Sequence, residues 1–597
     1  MPDAGETTGT VATVTEGRKS SPEGGWIILW AGAWIMAAAL CYGPRWADHD
    51  LWGHLAFGRD YIRAGRVLTR DPYSYTARGR VWHGHEPLFE ATFWLVYEHS
   101  GVIGLIAANM LMGLGAALFV WLSLRLVSGS PPVRIFVLLF SVLILSYYLQ
   151  IRPQLYTYVC FAVFSWILFS SRATGGWKRL LLLPVIIIPW ANAHGGFMAG
   201  LGLSFLYFIG GCFECFTAGS ESRPAMLRRL AALAAAGLLS GAASLINPIG
   251  LDLWRTFFRA LDNPYTRKYI LDWMPIPFPP GKLAYLAYYI FSAIFLVFFA
   301  AQQAKRRSPT AIIIAVVGML IPYHGARHVP LSVIMLAPFF ADALADRLSS
   351  RTTSWKAMPR AAQRMMFSLL AILCGMCLFA VCMNSADLLP RLRLTDDIPV
   401  NACRFIREAG LKGNIFCEYG SGEYLIWQLG DRCKVGKDGR YDTVYPLDVI
   451  ADNLKFFHDV PTDETLSIPE KYETDMILVG SRRKVAGLLA EKARPPLTRL
   501  TWVKLYGDET ATLFVREGML SAENIESLRA TATRISGQEP EHFFPTLNSV
   551  PVETPLPPDI VNPPAGMSRP ENHINTKTRR AAHKTYPSNL PGLPPPQ

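Results

Sequence analysis

The residues of this chain best suited to chemistry are the acidic and imidazole side chains of one hydrophilic stretch, residues 46–90. Asp48 and Asp50 stand two positions apart with a histidine between them, and Trp-His-Gly-His-Glu follows at residues 82–86. Two neighbouring carboxylates beside an imidazole can bind a divalent cation, or one can act as a general base while the other tunes its pKa. Long hydrophobic runs flank the stretch, and ionisable groups at such a boundary are costly unless they face a polar cavity. The stretch therefore predicts a functional site.

Two short helices are predicted to position these groups. Apolar residues at positions 51, 55 and 62, with a glycine at 58, have helical spacing and predict an amphipathic helix over residues 50–64 along the membrane surface. Asp50 and His54 are four residues apart and share one face of this helix. A second helix is predicted to begin around Glu86, with another carboxylate four residues later at Glu90. The alternative is that an aspartate of the pair only caps the first helix, which Asp does well.

The composition predicts a protein of the lipid bilayer. The chain has 597 residues, of which 51% are hydrophobic and 17% charged. Its apolar residues gather in runs of roughly 17 to 22, the length that crosses a bilayer. The net charge of +12 would suggest nucleic acid in a soluble protein, but the basic residues fall mostly in short links between apolar runs. We therefore expect a multi-pass membrane protein that binds no nucleic acid.

Eleven membrane spans are predicted. With the N-terminus inside, the basic clusters of the links fall in the cytoplasm, as the positive-inside tendency requires. Residues 1–24 then form a disordered cytoplasmic tail, while the stretch 46–90 and everything after residue 385 lie outside. The two shortest runs could be re-entrant without changing the side of the C-terminus. The predicted spans cover residues 26–42, 101–124, 133–149, 154–170, 180–193, 197–216, 226–246, 284–303, 310–323, 329–345 and 365–384.

The links assigned to the outside carry further polar motifs. Arg152 lies in Ile-Arg-Pro-Gln, His194 in Trp-Ala-Asn-Ala-His-Gly-Gly, and both Arg327 and His328 in His-Gly-Ala-Arg-His. A longer insert covers residues 247–283. Polar, irregular backbone at membrane depth is tolerated where it lines a cavity. We therefore expect one polar cavity that opens outward and gathers these motifs.

A small α/β domain is predicted over residues 385–518. Short β-like runs at about 414–417, 475–479, 502–505 and 512–515 alternate with helix-like segments at about 400–409 and 484–493. Its three cysteines allow one disulfide and one free thiol, with a pairing that the sequence does not reveal; they are Cys403, Cys417 and Cys433.

Two other segments of this region have a distinctive composition. Gly-Lys-Asp-Gly-Arg-Tyr-Asp at residues 436–442 is either a tight Asp-Gly turn with solvated charges or part of the cavity mouth. Residues 519–597 are predicted to be a Pro-rich and mostly disordered tail, since 14 of the 43 prolines lie from residue 537 onward.

Taken together, these motifs resemble the GT-C superfamily of membrane glycosyltransferases. The shared features are a first span, an outward loop (residues 45–100) with an acidic pair, surface helices, many spans and a soluble C-terminal domain. Asp48-His49-Asp50 is similar to the Asp-Glu or Asp-x-Asp found in the first loop of the protein mannosyltransferase and aminoarabinose transferase branches. Asp-x-Asp-x-Trp-x-His-Leu, Trp-x-x-His-Glu, Arg-Pro-Gln, Trp-Ala-Asn-x-His-Gly-Gly, Asn-Pro and Asp-Gly-Arg-Tyr-Asp look more closely like a bacterial group of unassigned substrate.

The resemblance implies a fold and a reaction. The fold is an all-α polytopic membrane domain over residues 25–384, followed by the α/β domain outside a bacterial cytoplasmic membrane. The reaction is transfer of a sugar, with inversion, from a polyprenyl-phosphate carrier to a hydroxyl of an unknown protein, lipid or glycan acceptor. No second Asp-x-Asp and no Trp-Trp-Asp motif is found, which argues against transfer of a whole oligosaccharide to Asn.

The resemblance also assigns roles to residues. Asp48 is the first candidate for the base that the acceptor hydroxyl needs, Asp50 the second and Glu86 the third. Arg152 and Arg327 match the geometry of a leaving lipid phosphate. The histidines could donate to phosphate or simply bond at helix ends; they are His54, His83, His85, His194 and His328.

A divalent cation, Mg²⁺ or Mn²⁺, is the cofactor that these groups could hold. Asp48, Asp50 and His85 are the predicted ligands, and no other cofactor is expected.

Two rival functions stay open at this stage. A lipid-linked sugar transporter or flippase would also need many spans and a polar cavity, but it would usually show internal symmetry and polar residues along its spans. The sequence contains no internal repeat. The other rival is a membrane assembly protein, which only the long tail favours.

Overall fold

The structure is a computed structural model of the chain. It describes residues 24–41, 46–127, 131–348, 359–361, 363–365, 368, 372, 392–492 and 498–544.

The first part of the chain is helical. Most of its helices are long apolar runs, in which every backbone group can be paired within the segment, as a bilayer requires. Short 3₁₀ turns interrupt the series at Lys178–Leu182, Leu271–Trp273, Ile321–Tyr323 and Ala326–His328. The helices are α1 (Gly24–Cys41), α2 (Leu51–Ala64), α3 (Pro87–Leu124), α4 (Pro131–Ser146), α5 (Gln154–Thr174), α6 (Leu183–Ala193), α7 (Phe197–Thr217), α8 (Arg223–Ala243), α9 (Asp252–Asp262), α10 (Pro264–Tyr269), α11 (Leu283–Arg306), α12 (Pro309–Leu320) and α13 (Val329–Leu348).

Six helices are long and apolar enough to cross a membrane by length and composition. Three shorter apolar helices, Gly25–Cys41, Pro131–Ser146 and Pro309–Tyr323, coincide with further predicted spans. The run 180–193 forms a 3₁₀ turn and then the 11-residue α6, while the span 365–384 lies mostly outside the described residues. The count of eleven therefore stays a prediction. The six long helices are Pro87–Leu124, Gln154–Thr174, Phe197–Thr217, Arg223–Ala243, Leu283–Arg306 and Ala326–Arg347.

The two helices predicted for the first loop are present. Helix α2 ends at Gly65, whose φ of 63° is in the left-handed region that favours glycine. Helix α3 begins directly after Glu86 and continues into a segment long and apolar enough to cross a membrane, with a kink at Gly101, where φ is 58°.

Helix α2 lacks the exposed face expected of an amphipathic helix over residues 51–61, and its position relative to the membrane stays a prediction. Its residues from Leu51 to Tyr61 are all buried, because α2 packs against α3 and also against the helix Tyr419–Leu429 of the C-terminal domain. The first loop and the C-terminal domain therefore contact each other on the same side of the helices.

The C-terminal domain is built on a five-stranded mixed sheet. Strand order is β2-β1-β3-β5-β4, with β1 parallel to β2 and β3, and β5 antiparallel to β3 and β4. Phe416, Ile477 and Phe514 are at most 1% exposed and lie in its core. The strands are β1 (Gly413–Cys417), β2 (Cys433–Val435), β3 (Met476–Gly480), β4 (Trp502–Gly507) and β5 (Ala511–Arg516), and the helices are α14 (Val400–Glu408), α15 (Tyr419–Leu429), α16 (Leu447–Phe457), α17 (Lys484–Lys492) and α18 (Ala522–Ser536).

This domain agrees with most of its sequence-based prediction. The four predicted strands and two predicted helices are present within about two residues of their expected bounds, whereas the three-residue β2 was too short to be recognised from a pattern. No disulfide joins its three cysteines, since Cys403, Cys417 and Cys433 are buried free thiols.

The part of the predicted tail that the structure describes, residues 519–544, is ordered. Helix α18 follows, and Phe544 then stacks on Trp52 of the first loop with ring centroids 4.1 Å apart. The backbone N–H of Phe544 donates to the carbonyl of Leu392 at 2.8 Å, so this segment is anchored at both main chain and side chain. Residues 545–597 lie outside the described residues.

Candidate active site

A cavity of about 720 Å³ lies between the helical part, the first loop and the C-terminal domain. It collects most of the predicted site residues from separate parts of the chain. His83 and His328 do not line it, and the backbone N–H of His83 instead donates to the carbonyl of Thr443 at 3.0 Å. The predicted residues that line the cavity are Asp48, Asp50, His54, His85, Glu86, Arg152, His194 and Arg327.

Arg152, just before α5, is surrounded by three carboxylates. Its Nε lies 2.7 Å from Asp48 Oδ1, its Nη2 3.4 Å from Asp50 Oδ2 and its Nη1 2.9 Å from Asp272 Oδ2. Burial disfavours its charged form, but the three carboxylates outweigh burial and raise the pKa of Arg152 above its usual value. Arg152 is therefore a fixed cation, and a bound phosphate would have to replace at least one of these carboxylates.

The two aspartates of the first loop are held by this arginine and by each other. The backbone N–H of Asp50 donates to Asp48 Oδ1 at 3.0 Å. Asp50 occupies the N-cap position of α2 without a side-chain capping hydrogen bond, so the capping alternative does not hold for it. Burial, followed by the charge of Asp48, raises the pKa of Asp50.

A second cluster in the cavity combines imidazoles with carboxylates. Glu86 Oε1 lies 3.4 Å from His85 Nε2 and 4.0 Å from His194 Nε2, and His54 Nδ1 lies 3.4 Å from Glu90 Oε1. Burial alone would raise the pKa of Glu86, but His85 and the other histidines lower it to about 2. Glu86 is therefore ionised near neutral pH and is a weak base.

His194 is held in one tautomer by its neighbours. Its Nδ1 accepts the backbone N–H of Gly196 at 3.0 Å and lies 2.7 Å from Thr157 Oγ1, which itself accepts the Trp190 indole N–H at 2.9 Å. Since Nδ1 is an acceptor, the proton of the neutral ring is on Nε2, the nitrogen that faces Glu86. Burial lowers the pKa of His194 to about 3, so the ring is a neutral hydrogen-bond donor.

One group of described residues could hold a metal ion: His54, Glu86 and Glu90, whose ligand atoms lie within 4.8 Å of one another. Glu90 Oε2 is buried without a hydrogen-bond partner, and a set of one imidazole and two carboxylates suits Mn²⁺ better than Mg²⁺. The residues thus fit a divalent cation. The predicted ligand set of Asp48, Asp50 and His85 is not brought together, because Arg152 occupies the aspartates.

Arg327 is the least compensated cation of the cavity. Its guanidinium carbon lies 4.0 Å from the ring centroid of Trp273, an arrangement in which the ring supports the positive charge. Within the described part of the chain, no carboxylate lies within 4.0 Å of it, in contrast to Arg152. Arg327 is therefore the more available of the two for an anion.

Most of the segment 436–442 is buried and residues 439–442 line the cavity, so of its two predicted alternatives the turn with solvated charges is excluded. Lys437 and Asp438 are 0% exposed and Arg440 7%. Arg440 Nη1 donates to Asp71 Oδ1 and Nη2 to Asp438 Oδ2, both at 2.7 Å. This ion network joins the first loop to the C-terminal domain beside the cavity, which Arg440 also lines.

Several lining residues were not predicted from the sequence. Asp272 lies in the long insert, where no spacing connects it to Arg152. Glu423 lies inside an apolar helix of the C-terminal domain, and Tyr419 and Tyr441 flank the buried ammonium group of Lys437. The one available signal was the Asp-Gly-Arg-Tyr-Asp motif, which marks the segment but not its partners.

No protein-family model and no curated protein matches the chain. The structure is similar to the oligosaccharyltransferase of Archaeoglobus fulgidus, with a TM-score of 0.48 and 12% identity over 76% of this chain and 69% of that one. It is similar to ArnT from Cupriavidus metallidurans, with a TM-score of 0.48 and 14% identity over 84% and 98%. It is also similar to the arabinofuranosyltransferase AftD from Mycobacteria, with a TM-score of 0.41 and 11% identity over 82% and 40%. At these identities and TM-scores the neighbours assign neither a superfamily nor a substrate to this chain.

Proposed function

We propose that the chain is a membrane glycosyltransferase that moves a sugar from a polyprenyl-phosphate carrier to a hydroxyl of a protein, lipid or glycan on the outer face of the cytoplasmic membrane. One observation carries the proposal. A single cavity brings the aspartates of the first loop together with Arg152, His194 and Arg327, which come from three other parts of the chain. Displacement of a phosphate by a hydroxyl requires a base for the hydroxyl proton, and a cation and a neutral hydrogen-bond donor for the leaving phosphate.

The phosphate of the donor binds at the cationic side of the cavity. Arg327 offers a forked guanidinium that matches two phosphate oxygens, and His194 offers the N–H of its neutral ring. Arg152 exchanges one of its carboxylates for the phosphate, so donor binding frees an aspartate at the moment when a base is needed.

Asp48 acts as the base. The acceptor oxygen forms a bond to the anomeric carbon while the bond from that carbon to the phosphate oxygen breaks, and the phosphate leaves with the electron pair. Asp48 takes the proton of the acceptor hydroxyl, whose pKa is far above neutral until the new bond forms. A single displacement of this kind inverts the configuration of the sugar carbon.

A divalent cation, when bound, would supply further positive charge for the phosphate. His54, Glu86 and Glu90 are the residues that would hold it. Glu86 is then a ligand and not the base, in accord with its low pKa.

The arginines give a test of donor binding. Arg327→Lys and Arg152→Lys keep the positive charge but lose the forked pair of guanidinium donors. We therefore expect each variant to bind polyprenyl phosphate roughly 10-fold more weakly. Binding is measured on purified protein in detergent by a fluorescence or thermal-shift titration. Arg255→Lys is the matched control, since the Arg255 side chain is 64% exposed and pairs with Asp252 of its own helix. Unchanged binding in both test variants would make these arginines structural.

Reporter fusions test on which side of the membrane the cavity lies. Contact between the first loop and the C-terminal domain supports a common side for both, and the basic links support the outside. A reporter active only outside the cytoplasm is expected to be active when fused after Leu394 and inactive when fused after Arg307. The opposite pattern would place the cavity in the cytoplasm and exclude the proposed outer-face reaction.

A further inference from the structure

Glu423 is a buried carboxyl group of the cavity that the reaction described above does not use. It lies in α15, is 3% exposed and lines the cavity. Its Oε2 is buried and has no hydrogen-bond partner among the residues that the structure describes. A buried polar atom without a partner is unfavourable, so its position indicates a bond to something that the cavity accommodates.

Two glycines make the room for this carboxyl group. A Cβ atom at Gly53 of α2 would lie 2.2 Å from Glu423 Oε2, and one at Gly439 would lie 2.6 Å from Glu423 Oε1. The same Cβ at Gly439 would lie 2.8 Å from Asp50 Oδ1. The carboxyl groups of Glu423 and Asp50 are therefore neighbours across Gly439.

The surrounding charges decide the protonation of the pair. Asp50 and Asp48 face Glu423 from the first loop, and Asp438 and Arg440 face it from the segment after β2. Arg440 is already engaged by other carboxylates. Burial, followed by the charge of Asp50, raises the pKa of Glu423 well above its usual range, which favours its protonated form.

We propose that Glu423 and Asp50 together bind one hydroxyl group of the transferred sugar or its acceptor. The neutral acid of Glu423 donates a hydrogen bond from Oε2 to the hydroxyl oxygen, and the carboxylate of Asp50 accepts a hydrogen bond from the hydroxyl O–H. A hydroxyl both donates and accepts, so this pair recognises it as a unit. The inference rests on the proposed function, because it takes its ligand from that reaction, and it makes the C-terminal domain part of the substrate site.

The protonation of Glu423 is tested without substrate. In infrared difference spectra of the purified full-length chain near neutral pH, the carbonyl-stretch band of a protonated carboxylic acid is expected in the wild type and absent in Glu423→Gln. Glu464→Gln is the matched control, because the Glu464 side chain is 88% exposed and should leave the band unchanged. A wild-type spectrum identical to that of Glu423→Gln would mean that Glu423 is ionised, and would overturn the proposal.

The binding role is tested by kinetics of sugar transfer. Glu423→Gln keeps a neutral donor and is expected to stay within about threefold of the wild type, whereas Glu423→Leu should raise KM roughly 10-fold for the substrate that carries the hydroxyl, with little change in kcat. A packing role would not be rescued by Gln relative to Leu. A normal KM in Glu423→Leu overturns the inference, and so does an equal rise of KM in both variants. Both results leave sugar transfer by the wild type intact. A wild type that transfers no sugar overturns the proposed function instead, and the assigned ligand with it.

Discussion

Asp48→Asn is expected to lower sugar transfer by roughly 10²- to 10⁴-fold with donor binding mostly retained. The amide has nearly the same shape as the carboxylate but cannot take the proton of the acceptor hydroxyl. Arg152 keeps Asp50 and Asp272 as partners, so the fold should survive the change. The measurement is the initial rate of transfer by purified wild-type and variant protein, with thermal unfolding recorded on the same samples.

Two further variants make the result specific to Asp48. Asp262→Asn is the matched control, because Asp262 is exposed on α9 and does not line the cavity. Asp50→Asn is expected to lose less than Asp48→Asn. Near-normal transfer by a stable Asp48→Asn protein, with a large loss in Asp50→Asn, would reassign the base to Asp50.

Arg440→Met is expected to destabilise the fold by roughly 3–5 kcal/mol, because it leaves Asp71 and Asp438 buried and unpaired. The guanidinium also lies among the rings of Phe57 and Trp82, 5.2 Å and 4.8 Å from their centroids, so packing is lost with the charge. The loss should appear as a lower unfolding midpoint in denaturant titrations of the detergent-solubilised chain.

An exposed ion pair gives the control for this prediction. Arg255→Met removes a partner of Asp252 at the surface, where such pairs contribute at most about 1 kcal/mol. Replacing Asp71 and Asp438 by Asn in the Arg440→Met background should recover part of the lost stability, since the orphaned charges are then removed. Equal effects of Arg440→Met and Arg255→Met would show that the buried network does not hold the first loop to the C-terminal domain.

The local elements of this fold could be predicted from the sequence because their signals are local. Apolar runs marked the helices, helical spacing marked α2 within a residue, and short β-like runs marked four of the five strands. The acidic pair was also recognised as a site, and the structure brings it to a cavity with Arg152, His194 and Arg327.

What the sequence could not provide is contact between distant segments. Arg440 and Asp71 are 369 positions apart, and only the packing of the first loop on the C-terminal domain makes their charges a buried pair. The same packing buries the face of α2 that its amphipathic pattern predicted to be exposed. Glu423 was missed because a lone Glu in a helix has no spacing signal, although burial and two glycines give it a distinct place.

The anchor of the C-terminal segment was missed for a related reason. Phe544 stands next to a Pro-rich region whose composition predicts disorder, yet its ring is 3% exposed and stacked on Trp52. One aromatic side chain in a favourable place outweighs the average composition around it.

One reconstitution experiment decides whether this cavity transfers sugar from a polyprenyl phosphate. Purified wild-type protein is reconstituted in vesicles with polyprenyl-phosphate donors that carry a labelled sugar, together with hydroxyl acceptors extracted from cell envelopes. We expect label to move from the lipid to the acceptor fraction, free polyprenyl phosphate to appear in equal amount, and Asp48→Asn to stop both. The opposite result is that each donor class binds and crosses the bilayer with its sugar still attached, in both proteins. That result would exclude sugar transfer and identify a transporter.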